Sequence, residues 1–198
     1  HFVVGLNNGC IAKWHINGKL INLIQGHKSE ITSIQNRVQN RVHTMIATPD
    51  SKHIISAAKD KLIRIWKTDT LKPVAICNGH TKSVAALAIL PNGQRILSGS
   101  ADNTIRVWRF DGTQQHTFST IHDNLVKVIV PVSDDHALSG SFDHSIKLFN
   151  VNDGSVVFTW TYSDVVLHIS LLPDKLRFVS SVFKEKVSIA YHGMKSTV

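Results

Sequence analysis

The chain has 198 residues, 42% of them hydrophobic and 18% charged, enough to bury a sizeable core and too apolar for a disordered tail. No run approaches the roughly 18 apolar residues of a membrane-spanning helix, and the longest, such as Val84 to Leu90, are strand-sized. The two cysteines, Cys10 and Cys77, lack partners at zinc-ligand spacing, which excludes a disulfide framework and points to a reducing, intracellular compartment, cytoplasmic or nuclear.

From the N-terminus, Val4 to Trp14 ends on an aromatic and carries Asn8 within it. Gly26-His27 follows, and then Ser33-Ile34-Gln35-Asn36-Arg37-Val38-Gln39-Asn40-Arg41, which has no counterpart elsewhere. Ser56-Ala57-Ala58-Lys59-Asp60-Lys61-Leu62-Ile63-Arg64-Ile65-Trp66 sets a pattern. It returns, after Gly79-His80, as Ser98-Gly99-Ser100-Ala101-Asp102-Asn103-Thr104-Ile105-Arg106-Val107-Trp108. After Ile121-His122 it returns as Ser139-Gly140-Ser141-Phe142-Asp143-His144-Ser145-Ile146-Lys147-Leu148-Phe149. The last copy, read as Ser181 to Tyr191, puts Glu185 at the Asp position and Ser163-Asp164 where Gly-His stands elsewhere.

The closing aromatics are 52, 42, 41 and 42 residues apart, and the Gly-His marker also lengthens only in its first interval. About eleven extra residues therefore sit just after His27. A period near 42 falls in the range of propeller blades. Short β-branched runs alternate with turns such as Pro91-Asn92-Gly93, Asp111-Gly112 and Asn152-Asp153-Gly154, so each repeat predicts four short strands and no helix. Such a sheet is too small to stand alone, and radial stacking buries its faces while protecting its edges. The expected fold is all-β, a β-propeller of four-stranded antiparallel blades. The chain is expected to hold between four and five of them in one domain over 1–198. The repeats run over about 1–25 (partial), 26–78 with the insertion near 31–41, 79–120, 121–162 and 163–198 (degenerate). An open arc leaves sheet edges unpaired, so the chain is expected to be part of a larger propeller.

Gly-His followed by Ser-Gly-Ser-x-Asp-x-Thr-Ile-Arg-Val-Trp resembles the WD40 repeat family, and the resemblance extends over essentially the whole chain. It implies a hydrogen-bonded tetrad of His, Ser, Asp and Trp inside each blade: His27, Ser56, Asp60 and Trp66; His80, Ser98, Asp102 and Trp108; and His122, Ser139 and Asp143, with Phe149 ending the chain of bonds. A carboxylate accepts from imidazole, hydroxyl and turn backbone, whereas indole only donates, so the set is chemically consistent. No Trp-Asp dipeptide survives: the aromatics are followed by His15, Lys67, Arg109, Asn150 and His192.

The recurrence of His, Ser and Asp in every repeat, without a Gly-x-Ser-x-Gly elbow, marks them as architectural and predicts no catalytic residue. Gly99 between two serines reads as strand packing, since no phosphate-binding Gly-x-x-x-x-Gly-Lys follows. The twelve histidines are scattered, and neither metal nor cofactor is expected.

What remains is binding. The resemblance implies a protein-protein scaffold or adaptor, with partners that carry acidic or apolar segments and no membrane span. The residues just before each Asp position, Asn7, Lys59, Ala101, Phe142 and Lys184, are expected to line the channel mouth, with Lys82 and Asn124 beside them. The insertion, with Arg37 and Arg41, is expected to project from the same rim. The alternative is an RNA-associated protein using a basic face, because the net charge is +8 and Lys52, Lys67, Arg95 and Arg109 fall toward the opposite side. That face otherwise reads as a solvated rim.

Overall fold

The computed structural model describes residues 1–27, 42–175, 177–183 and 188–191, and every regular element among them is a β-strand. The strands form five antiparallel sheets, each in sequential order. The first holds β1 (Phe2–Gly5), β2 (Cys10–Trp14) and β3 (Leu20–Gln25). The second holds β4 (Val42–Ala47), β5 (His53–Ala58), β6 (Ile63–Lys67) and β7 (Pro73–Cys77). The third holds β8 (Val84–Ile89), β9 (Arg95–Ser100), β10 (Ile105–Arg109) and β11 (Gln114–Phe118). The fourth holds β12 (Val126–Pro131), β13 (His136–Ser141), β14 (Ser145–Asn150) and β15 (Val156–Thr161). The fifth holds β16 (Val166–Leu171), β17 (Arg177–Val182) and β18 (Ser188–Tyr191).

The sheets are propeller blades. Their innermost strands touch in succession, β1 to β4, β4 to β8, β8 to β12 and β12 to β16, and among the described residues no comparable contact returns from β16 to β1. The arc is open.

Cohesion comes from the spaces between neighbouring sheets. Ile11, Ile54, Trp66 and Leu71 join the first two; Ile55, Ile65, Val84, Leu87 and Trp108 join the second and third. Leu97, Val107, Val126, Ile129 and Phe149 join the third and fourth; Leu138, Leu148, Val166, Ile169 and Phe178 join the fourth and fifth. Each core is shared by adjacent repeats, the nearest-neighbour logic of repeat proteins.

The residue after the tetrad Ser sets how closely two sheets approach. A Cβ on Gly99 would lie 2.6 Å from Val126 Cγ1, and one on Gly140 would lie 2.6 Å from Val166 Cγ1. Glycine is there to admit the first valine of the next inner strand, as the packing reading of Gly99 expected. In the second sheet the register gives this place to Ala57, fully buried and clustered with Val84.

Candidate interaction surface

The Asp-bearing turns and the loops leading into the inner strands lie at one end of the blades, and the tetrads anchor them there. In the third sheet Trp108 Nε1 donates to Ser98 Oγ at 2.8 Å, Ser98 Oγ meets His80 Nε2 at 2.7 Å, and His80 Nδ1 meets Asp102 Oδ2 at 2.9 Å. One direction satisfies every group: indole donates to hydroxyl, hydroxyl to imidazole, and imidazole to carboxylate. Asp102 also accepts from the Thr81 and Thr104 amides and from the Thr104 hydroxyl. One carboxylate thus ties the incoming loop to the turn. Burial opposes its ionisation, but the hydrogen bonds from His80, Thr104 and Thr81 outweigh burial and hold the carboxyl well below the usual carboxylate range.

In the second sheet His27 Nε2 lies 2.8 Å from Ser56 Oγ, which accepts from Trp66 Nε1 at 2.9 Å, and His27 Nδ1 lies 3.0 Å from Asp60. Leu62 stands where Thr104 supplies a hydroxyl, and Arg64 replaces that donor, its Nη1 2.6 Å from Asp60 Oδ2. Despite burial, His27 and Arg64 together lower the Asp60 pKa. The intervening insertion leaves this bonding in place. In the fourth sheet His122 joins Ser139 and Asp143 at 2.7 Å each, and Phe149 is fully buried edge-on to Phe118, 6.2 Å between centroids. Asp143 is likewise held low, with the bonds from His122 and Ser145 overcoming burial.

Residues 18–67 and 71–109 match the family described as WD domain, G-beta repeat, a little under half of the chain. These two stretches are WD40 repeats. Over 94 residues the chain is also 32% identical to the ribosome biogenesis protein WDR12 homolog of Oryza sativa subsp. japonica, a match covering 44% of this chain and 20% of that relative.

The fifth repeat departs from the register read in the sequence. Val166 pairs with Val182 and Ile169 with Ser180, just as Val126 pairs with Ser141 and Ile129 with Ser139. The tetrad serine is therefore Ser180, not Ser181. Phe178 pairs with Ala190 as Ala137 pairs with Phe149, so Ala190, not Tyr191, holds the aromatic's backbone place. Tyr162, rather than Asp164, stands four residues before the inner strand, and its hydroxyl lies 3.1 Å from Ser180 Oγ. A phenol there meets the serine, as imidazole does in the second, third and fourth repeats. The 42-residue count from His122 hid this because the last repeat is two residues shorter before its inner strand.

The first repeat has Val4 at the serine place and Asn8 at the aspartate place. Lys13 takes the place of Ile65, is only 8% exposed, and donates through Nζ to the Thr68 and Asp69 carbonyls of the next sheet at 2.9 and 2.8 Å. That clamp had no signal in the repeat pattern.

Asn7, Lys59, Lys82 and Asn124 are exposed, and Ala101 and Phe142 half-buried. Lys59, Ala101 and Phe142 hold the same turn position in three successive sheets. The turns of two sheets are fastened to the loops beside them: Ala101 N donates to Ser83 O, Phe142 N to Leu125 O, and Asn103 Nδ2 to Asp123 O of the next repeat at 3.1 Å. Arg37, Arg41 and the rest of the stretch 31–41, and Lys184, lie outside the described residues. At the opposite end Lys52, Lys67 and Arg109 are exposed, but Arg95, expected to add charge to that face, is spent on a neighbouring repeat. Its Nη1 bonds Asn152 Oδ1 at 2.8 Å and its Nη2 bonds Asp134 O at 2.6 Å. Among the described residues no three His, Cys, Asp or Glu side chains gather as a metal would require.

Proposed function

We propose that this chain is a non-catalytic scaffold that holds other proteins, gripping them on the face that carries the Asp-bearing turns. The observation that carries the reading is where the reactive side chains go. Imidazole, hydroxyl and carboxylate are consumed inside the blades, with tetrad histidines 4% exposed or less and serines fully buried, so none faces a substrate. A surface whose loops are pinned from within presents its side chains without a large ordering cost on binding. Lys59 and Lys82, with the half-buried Phe142 in the same turn position, offer cations around one aromatic anchor, a composition suited to acidic and apolar partner segments. The similarity to a ribosome biogenesis protein supports a partner among proteins that assemble ribosomes, and hence a nuclear location.

The test is affinity capture with the full-length protein, followed by mass spectrometry. Wild type is expected to recover a reproducible set of ribosome-assembly proteins that survives nuclease treatment and 0.5 M salt, and Lys59→Glu with Phe142→Ala is expected to lose it while folding normally. Capture that collapses with nuclease and falls steeply with salt, as counterion release dictates, would establish the RNA-binding alternative instead.

A further inference from the structure

At one core position the first sheet differs from those that follow. Where Ile65, Val107 and Leu148 fill the second, third and fourth sheets, the register gives the first sheet Lys13, paired with Val3 as Ile65 is paired with Ile55. The core needs only apolar volume there, so a polar residue that breaks the local rule calls for another reason. Lys13 is 8% exposed, and its Nζ donates to the Thr68 carbonyl at 2.9 Å and to the Asp69 carbonyl at 2.8 Å. Among the described residues no carboxylate pairs with it; that of Asp69 is exposed and accepts from the Thr70 amide. Two carbonyls thus occupy two of the three ammonium hydrogens and leave the charge without a counter-ion. Beside Lys13 a cleft of about 300 Å³ opens between the first and second sheets, walled by Phe2, Val3, Met45, Ile46 and Ile54. Thr68 lines it too, and its buried Oγ1 has no hydrogen-bond partner among the described residues. The other polar walls, His1 and Ser51, bring no negative charge.

We propose that this cleft binds a small monocarboxylic acid with an apolar body, its carboxylate taken up by the third N–H of Lys13 and by the Thr68 hydroxyl, its hydrocarbon lying against Val3, Met45 and Ile54. Each feature of the site selects that chemistry. A buried ammonium surrounded only by carbonyl dipoles lacks its opposite charge, and an anion supplies it. Because Nζ lies 2.9 Å from the carbonyl of the same Thr68 whose hydroxyl is unpartnered, ammonium and hydroxyl are neighbours. The two oxygens of one carboxylate can accept one bond from each, satisfying together the two groups that the fold leaves short. The apolar walls disfavour a free phosphate or sulfate, which would shed its water against hydrocarbon. The volume lies at the lower end for small-molecule pockets and limits the body to a phenyl ring or a short chain. Ser51 and Thr68 adjoin Lys52 and Lys67, so the site lies at the end of the blades away from the Asp-bearing turns and is independent of the face proposed to hold proteins.

The experiment titrates the full-length protein by calorimetry with hydrocinnamate, and with hydrocinnamide as its uncharged counterpart. Saturable binding of the acid is expected, about tenfold or more tighter than that of the amide, with a rise in the thermal midpoint because the ligand is held by the folded state alone. Thr68→Val keeps the shape and removes a hydroxyl that has no partner, so it is expected to weaken the acid several-fold while leaving the amide and the unliganded midpoint unchanged. Lys13→Met keeps the length of the stem and removes the charge, and is expected to erase the preference for acid over amide. Should Lys13→Met fail to fold for want of its two carbonyl bonds, Thr68→Val decides by itself. The proposal is overturned if neither compound binds, if acid and amide bind alike, or if Thr68→Val keeps the full affinity for the acid.

Discussion

The third and fifth sheets share one strand register and are held by different chemistry. In the third, Trp108, Ser98, His80 and Asp102 form a directed relay of hydrogen bonds, and Ala137 occupies the corresponding core place of the sheet that follows. In the fifth, Tyr162 bonds Ser180, and Phe178 takes the place of Ala137, fully buried with Trp160 edge-on at 5.0 Å and Phe158 tilted against that Trp160 ring at 4.5 Å. A relay demands geometry from four residues at fixed spacing, whereas an aromatic cluster demands only volume. The same blade can therefore lose much of the motif and keep its register.

The largest way to break this comparison is at Phe178. Removing a fully buried aromatic from a packed core costs about 3–5 kcal/mol, so Phe178→Ala should lower the unfolding midpoint more than substitution of any tetrad histidine, serine or aspartate. Denaturant melts of the full-length protein check the order; a smaller loss than for Asp102→Ala would mean that the fifth sheet does not depend on its aromatics.

Asp102→Ala strips acceptors from His80 and from the Thr81 and Thr104 amides, at about 1–3 kcal/mol. Its folded pKa is depressed, so the stability it supplies is fully present above the unfolded carboxyl's range near pH 4 and is lost as pH falls through the lower folded value. The gap between wild type and Asp102→Ala should accordingly be widest at neutral pH and narrow below about pH 4. A gap that stays constant across a pH series would place the effect in packing and not in the carboxylate.

The smallest effect sharpens the fifth sheet. Tyr162→Phe keeps the ring and deletes one hydroxyl, at about 0.5–1.5 kcal/mol, while the equivalent loss in the relay, Ser98→Ala, leaves both His80 and Trp108 short of a partner and should cost more. Equal losses in parallel thermal melts would erase the distinction between the two modes.

The repeated Ser-x-x-x-Asp spacing and the 42-residue period were enough to determine the all-β class and the blades, and the resemblance to the WD40 family implied the bonding partners in the second, third and fourth sheets. Those features are local: a turn aspartate capping its own amides, and a serine and an aromatic on paired strands, repeat with the chain itself. Tertiary structure alone decided the rest. It set the fifth register at Ser180 and Tyr162, bent Lys13 across to carbonyls more than fifty residues away and took Arg95 out of the basic face. In each case the outcome depends on which atoms of one repeat face the next and whether a side chain is long enough to span the gap, and a repeating pattern along the chain does not encode that distance.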